Sequence, residues 1–318
     1  MSLINKIMRN VRFLINLYRN KGTIRSLLES ENLAFIRFAS PGHFYSPIPD
    51  LHEIDSKSRY IFDRSARDIP AIKINEDSQI QLAKSFSVLY NEMPFPDTKS
   101  KEWRYFFDNP YFSYGDGIIL YSFLRHFSPK HVIEVGSGFS SFEMLDINDF
   151  FLNKKIDFTF IEPFPDRLFG FLSEEDKEKV RVEIRPVQEV ESNIFSLLEA
   201  NDILFIDSSH VAKINSDVLY ILFSILPQLK NGVIIHFHDV LWPFEYPKNW
   251  LEGGRAWNEA YFLRSFLQYN PAFEILYFNS YMALHHADFL EQSMPSILKT
   301  PSSKLTPGNT SLWIRKVL

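Results

Sequence analysis

Two groups of polar residues in this chain have the types and spacing to do chemistry. Asp207 is followed three residues later by His210, and a second apolar run closes with His236, His238 and Asp239. A histidine with an unperturbed pKa of about 6.5 is mostly neutral near pH 7 and can take a proton from a hydroxyl, which makes His210 the candidate general base with Asp207 beside it. Aspartate oxygens are hard ligands, so Asp207 and Asp239 suit a divalent ion such as Mg2+, which keeps several waters and takes one or two carboxylates. A bound cation would also stabilise a developing alkoxide. The plainer use of the same residues is capping and loop hydrogen bonding.

A third group is built to hold a ligand. The run Glu134-Val135-Gly136-Ser137-Gly138-Phe139-Ser140-Ser141 has two glycines that tighten a turn and let a ligand approach the backbone where a helix starts, with Ser140 or Ser141 available to cap it. Glu162, at the end of the next apolar run, is placed to accept hydrogen bonds from both hydroxyls of a ribose. A dinucleotide site wants a third glycine where Ser141 stands, so that the helix end can meet a pyrophosphate. S-adenosylmethionine has no phosphate, and Glu134 can meet its amino group directly or through water. The serine therefore favours the sulfonium cofactor. A nicotinamide-dependent oxidoreductase is the alternative enzyme, and a non-catalytic binding protein on the same fold is the alternative outside enzymology.

These residues need a scaffold that brings their strand ends together. From about residue 116, short apolar runs alternate with amphipathic stretches, the pattern of βαβ units and a mostly parallel, doubly wound α/β sheet of Rossmann type. The predicted strands are His131–Val135, Phe158–Ile161, Val180–Ile184, Ile203–Ile206 and Val233–Phe237, followed by a helix over Ala256–Tyr269 and closing strands Phe273–Phe278 and Ser311–Lys316. Residues 1–115 are interrupted by seven prolines from Pro41 to Pro110 and read as a mainly helical cap or lid; residues 116–318 read as the cofactor-binding domain. In such sheets ligands sit beyond the carboxyl ends of the strands, where all the polar groups above fall. A Pro- and Gly-punctuated aromatic loop follows Asp239; its Tyr246 and Trp250, with His238, Arg255 and, from the amino-terminal part, Tyr45, are the candidate walls of an acceptor pocket. Aromatics make up 16% of the chain, so core packing competes for the same loop residues. His285 and His286 lie near Asp288, but adjacent histidines on a strand face opposite sides.

The run Val132-Ile133-Glu134-Val135-Gly136-Ser137-Gly138, the later Glu162, and Asp202-Ile203-Leu204-Phe205-Ile206-Asp207-Ser208-Ser209-His210 resemble class I S-adenosylmethionine-dependent methyltransferases, nearest to the group with macrocin-type sugar and catechol-type O-methyltransferases. The resemblance covers residues 116–318 as a fold pattern. It implies a seven-stranded sheet whose last strand runs antiparallel, with the fourth and fifth strands side by side. It further implies that Glu134, Gly136, Gly138 and Glu162 surround the cofactor, with Gln188 of the Val187-Gln188 segment near the adenine. In the related metal-dependent enzymes an aspartate matching Asp207 is a ligand and a basic residue matching His210 activates a hydroxyl. His238-Asp239 departs from the family's Asp-Asp or Asp-Asn pair. The acceptor implied is a small polar molecule with a hydroxyl, sugar-like or a secondary metabolite.

A net charge of -5 and an isoelectric point near 6.0 provide no basic footprint for nucleic acid. The chain has no cysteine, which excludes disulfides, thiolate catalysis and Cys-ligated zinc and fits a reducing, cytoplasmic setting. The first thirty residues mix apolar and basic side chains without the apolar core of a signal peptide or the length of a spanning helix. A basic amphipathic helix there could still touch an anionic membrane surface. The sequence leaves homo-oligomerisation open.

Overall fold

The computed structural model describes residue 22, residues 33–303 and residues 308–318. The basic amino-terminal segment singled out above falls outside the described residues, apart from Gly22.

The chain divides into two compact units, residues 1–61 with 251–256, and residues 62–250 with 257–318. In the first, short helices run over Leu33–Phe38 and Leu51–Ser56, the latter capped by Asp50, whose carboxylate accepts from the His52 and Glu53 backbone N–H groups. The second unit carries a seven-stranded sheet in the order β3-β2-β1-β4-β5-β7-β6. Its strands are β1 (His131–Val135), β2 (Asp157–Ile161), β3 (Arg181–Glu183), β4 (Ile203–Ile206), β5 (Ile234–Phe237), β6 (Phe273–Phe278) and β7 (Leu312–Lys316). β1 to β5 pair in parallel, while β7 runs antiparallel between β5 and β6. This is the expected α/β sheet with its antiparallel last strand.

Four helices matter below: α1 (Glu76–Tyr90), α2 (Tyr114–Phe127), α3 (Phe139–Phe151) and α4 (Glu259–Leu267). β4 and β5 are buried at every position, as strands covered on both faces must be, and their runs of Ile, Leu and Phe supply that burial. The compact units part at residues 61 and 62, whereas the sequence pattern changes near 116. Ile69, Ile72, Phe86, Tyr105 and Phe112 are buried in the same core as the sheet, and Gln79 of α1 accepts from the β6 Phe278 N–H at 2.8 Å. β3 is shorter than predicted because the Val180 N–H closes the preceding helical turn on Asp176 at 3.1 Å. α4 starts late for a related reason. Asn258 gives its side chain to the Ala212 backbone instead of continuing a helix. His285 and His286 end a helix over Asn279–His285 rather than lying on a strand, and His286 pairs with Glu76 at 2.7 Å.

Candidate functional site

The register aligns Val135 with Ile161 and Ile206, and Ile206 with Phe237, so the turns after β1, β2, β4 and β5 begin in one row. Gly136 has φ +84°, and a Cβ there would lie 1.8 Å from the Asp207 carbonyl oxygen. Only glycine fits. The Asp207 N–H donates to the Val135 carbonyl at 2.8 Å and the Gly136 N–H to that of Ile161 at 3.0 Å, which ties three strand ends together. Glu162 braces the turn, accepting from the Ser137 N–H at 3.0 Å and the Phe164 N–H at 2.8 Å. Beside Gly138 a Cβ would meet only Arg167, at 3.7 Å.

Glu134 does not project from this turn. It is fully buried, accepting the hydroxyls of Ser140, at 2.5 Å, and Ser141. Burial pushes its carboxyl up to about 8 in spite of those hydroxyls. The serine that replaces the third glycine therefore supplies a hydroxyl that keeps Glu134 inside, and direct contact with an amino group is not the arrangement seen. Ser141 also accepts from the Gly138 N–H at 3.0 Å, which caps α3. Gln188, in a tight turn after β3, donates to the Asn215 carbonyl at 2.7 Å, while its carbonyl oxygen is buried without a partner. The Ser208 hydroxyl after β4 is also buried and unpaired. Such orphaned groups beyond the carboxyl ends of β3 and β4, on either side of the β1 turn, are what a polar nucleoside satisfies, and with the open space at Gly138 they fit an adenosyl ligand.

The ends of β4 and β5 carry the densest charge. The His210 Nε2 lies 3.4 Å from Asp207 Oδ1 and 3.7 Å from Asp239 Oδ2, while its Nδ1 is 2.9 Å from Glu259 Oε2. The His238 Nδ1 lies 3.4 Å from the same Asp207 oxygen and 3.6 Å from Asp239 Oδ1. The Asp207 side chain is 34% exposed, against 7% for His210 and 2% for Glu259. Asp207 is thus the group of this cluster that solvent or a ligand reaches. Burial opposes charge on all of these groups, but the pairings override it for three of them. The two imidazoles hold the Asp207 carboxyl far below the usual range, and the carboxylates of Asp207, Glu259 and Asp239 raise His210 well above its ordinary value. Asp239 and Asp207 push His238 up to about 9.

Two expectations change as a result. His210 is not the unperturbed imidazole expected: three acidic neighbours raise it well above its ordinary value and favour the protonated ring. Nor do Asp207 and Asp239 fit a divalent ion as they stand. Imidazole nitrogens face their oxygens from both sides, and among the described residues no cluster of three or more His, Asp or Glu side chains is arranged to hold a metal.

The aromatic loop is core rather than wall. Tyr246 and Trp250 are each 1% exposed; the Tyr246 hydroxyl accepts from the Ala260 N–H at 3.0 Å, and Trp250 packs edge-on to Trp257 at 5.3 Å. Trp257 in turn lies 4.4 Å from the His210 ring, so these side chains back the histidine. His238 is likewise buried and offers no surface to an acceptor. Tyr45 and Arg255 belong to the other compact unit. The sequence places Trp257 and Glu259 only within the run that follows the aromatic loop, and does not single out Asp116 or Thr310. Asp116 and Glu259 had a faint signal as acids set among Tyr, Trp and small residues, but nothing local tied them to a strand end.

Residues 133–240 match a family described as a methyltransferase domain. A protein of undescribed function from Archaeoglobus fulgidus is 31% identical over 199 residues, which cover 61% of this chain and 89% of that protein. Among solved structures, an apo form of CmcI is 14% identical, with a TM-score of 0.40, over 73% of this chain and 84% of that one. The S-adenosylhomocysteine-bound methyltransferase PaMTH1 of Podospora anserina is 17% identical, with a TM-score of 0.38, over 85% and 98%. The O-methyltransferase TomG of Streptomyces achromogenes, solved with S-adenosylmethionine, is 11% identical, with a TM-score of 0.38, over 83% and 96%. The segment that matches the methyltransferase family holds the glycine turn and the ends of β4 and β5, which marks residues 133–240 as a class I S-adenosylmethionine-dependent methyltransferase domain. Among the described residues no helix is long and apolar enough to cross a membrane.

Proposed function

We propose that the protein methylates a hydroxyl oxygen of a small polar acceptor, with S-adenosylmethionine bound across the ends of β1 to β4. The observation that carries this reading is the contact between the two halves of the site: the glycine turn meant for the cofactor packs on the backbone of Asp207, whose carboxylate is the exposed member of the histidine–aspartate rim. When bound, the cofactor supplies an activated methyl on a positively charged sulfur. Gly138 gives it room, the unpaired Ser137 hydroxyl offers it a polar contact, Glu162 takes the ribose hydroxyls, and the unpaired Gln188 and Ser208 atoms complete the nucleoside's hydrogen bonds.

Asp207, held as an anion, offsets the positive charge of the sulfonium. Aligning oxygen, methyl carbon and sulfur supplies several kcal/mol of the task. His210 takes the hydroxyl proton through Nε2, while its Nδ1 stays bonded to Glu259. Because His210 rests protonated, only its minor neutral form is competent, and no metal step is required of this rim.

Calorimetry with S-adenosylhomocysteine, followed by a screen of sugar and secondary-metabolite hydroxyls for release of the demethylated cofactor, tests the reading. Tight binding plus turnover that disappears in His210→Ala supports it. Nicotinamide dinucleotide binding without S-adenosylhomocysteine binding overturns it.

A further inference from the structure

We propose that Glu259 and Asp116 are positioning residues of the rim: each fixes one imidazole ring, so that His210 Nε2 and His238 Nδ1 face the same oxygen of Asp207. The proposal deepens the methyl-transfer reading and rests on it.

Each ring has a buried acid behind it. Glu259 reaches His210 directly at 2.9 Å. The segment that carries Glu259 also fixes the histidine's backbone, since the Asn258 and Glu259 N–H groups both donate to the His210 carbonyl, at 3.1 and 3.2 Å. His210 is held there at φ +59°, a left-handed conformation that costs a non-glycine residue on the order of 1 kcal/mol or more and persists only where its surroundings impose it.

Asp116 reaches His238 through one hydroxyl. Its Oδ1 accepts the N–H groups of Thr310 and Ser311, the Ser311 hydroxyl and the Asn279 amide, at 2.7 to 3.0 Å. Burial raises the Asp116 carboxyl above its ordinary value, and these four donors pull it back toward the charged form. Thr310 gives its single hydroxyl proton to Asp116 Oδ2 at 3.1 Å, so toward His238 Nε2, also 3.1 Å away, that oxygen can only accept. His238 therefore carries a proton on Nε2. Its other nitrogen lies 3.4 Å from Asp207 Oδ1 and 3.6 Å from Asp239 Oδ1, near enough for their charges to act on it though without a hydrogen bond.

His236 shares that anchor. It lies on the same stretch and is equally buried, and its Nε2 meets the Ser311 hydroxyl at 2.9 Å, which gives its own proton to Asp116 Oδ1. Asp116 therefore stands behind both rings of this stretch, through one hydroxyl each. The His238 ring is the one whose other nitrogen lies against Asp207 and Asp239, and so the one turned to the carboxylate that is open to a ligand.

The test uses the full chain labelled with 15N in histidine, with His210→Gln and His238→Gln to assign the signals. At neutral pH the wild type should show protons on both nitrogens of His210 and of His238. Glu259→Gln should remove an N–H signal from His210 and leave His238 unchanged, Asp116→Asn should remove one from His238 and leave His210 unchanged, and Glu259→Asp should restore the His210 pattern. S-adenosylhomocysteine affinity within about threefold of wild type shows that each variant is folded. Rings that keep both protons when their own acid is replaced, or variants that each disturb both rings, overturn the proposal. Should a variant fail to fold, a wild-type spectrum with neutral His210 or His238 overturns it equally. Failure of the wild type to bind S-adenosylhomocysteine counts against the methyltransferase reading instead.

Discussion

The two halves of the site are built by different means. The lip at β1 and β2 is made from backbone and short-range hydrogen bonds, with Glu162 bracing a glycine turn and Glu134 folded under two serines. The rim at β4 and β5 is made from side chains, two carboxylates and two imidazoles, supported by acids from α2 and α4. The first depends on shape and the second on charge, so substitutions, pH and ions should separate them.

The largest effect is expected at the lip. Gly136→Ala puts a methyl group into the Asp207 carbonyl at a positive φ, and should cost about 3 kcal/mol or more of stability and abolish S-adenosylhomocysteine binding. A variant with wild-type melting and binding would show that the lip is not shape-limited. At the rim, His210→Ala should cut methyl transfer by about 100- to 10,000-fold while changing cofactor affinity little, read as a split between kcat and the cofactor Kd. Equal losses in both would place the histidine in binding rather than proton transfer.

The response to pH follows from the raised His210 value. A base that rests protonated becomes competent as pH rises, so the transfer rate should climb by about tenfold per pH unit above neutrality until its pKa is passed. A profile already flat at pH 7 would contradict the rim described above. A region outside both halves sharpens the contrast. Glu143 on α3 is fully buried with neither oxygen bonded, and burial raises its pKa well above the ordinary value. Its folded pKa exceeds its unfolded one, so its contribution is intact below about pH 4.5 and is lost, by about 1.4 kcal/mol per pH unit, as pH rises toward the folded pKa. Glu143→Gln should flatten that slope, with melting temperatures that match wild type near pH 4.5 and exceed it above pH 7. The smallest effect is expected from chelation: exhaustive treatment with EDTA should leave transfer within about twofold, and a loss restored by Mg2+ would return the aspartates to metal binding.

Most of the lip could be read from the chain because its parts are local. A strand, two glycines and an acid at the end of the next strand carry their own spacing, and β1, β4 and β6 appear with the predicted bounds. The rim was only half legible. Asp207, His210, His238 and Asp239 are marked by strand ends, but their protonation is set by Asp116 and Glu259, which lie on helices remote in sequence. Local pattern says nothing of that approach, and an isolated histidine suggests a neutral ring. Tyr246 and Trp250 were misread for a similar reason: an aromatic loop looks alike whether it lines a cleft or folds beneath one, and only the hydroxyl bonded to Ala260 reveals which.

The packing of Gly136 on the Asp207 carbonyl gives the two halves a common hinge point. With the hydrogen bond from Asp207 to Val135 alongside it, neither turn can shift without carrying the other. A ligand that settles on the first strand's loop would therefore press on the same backbone that carries the fourth strand's carboxylate.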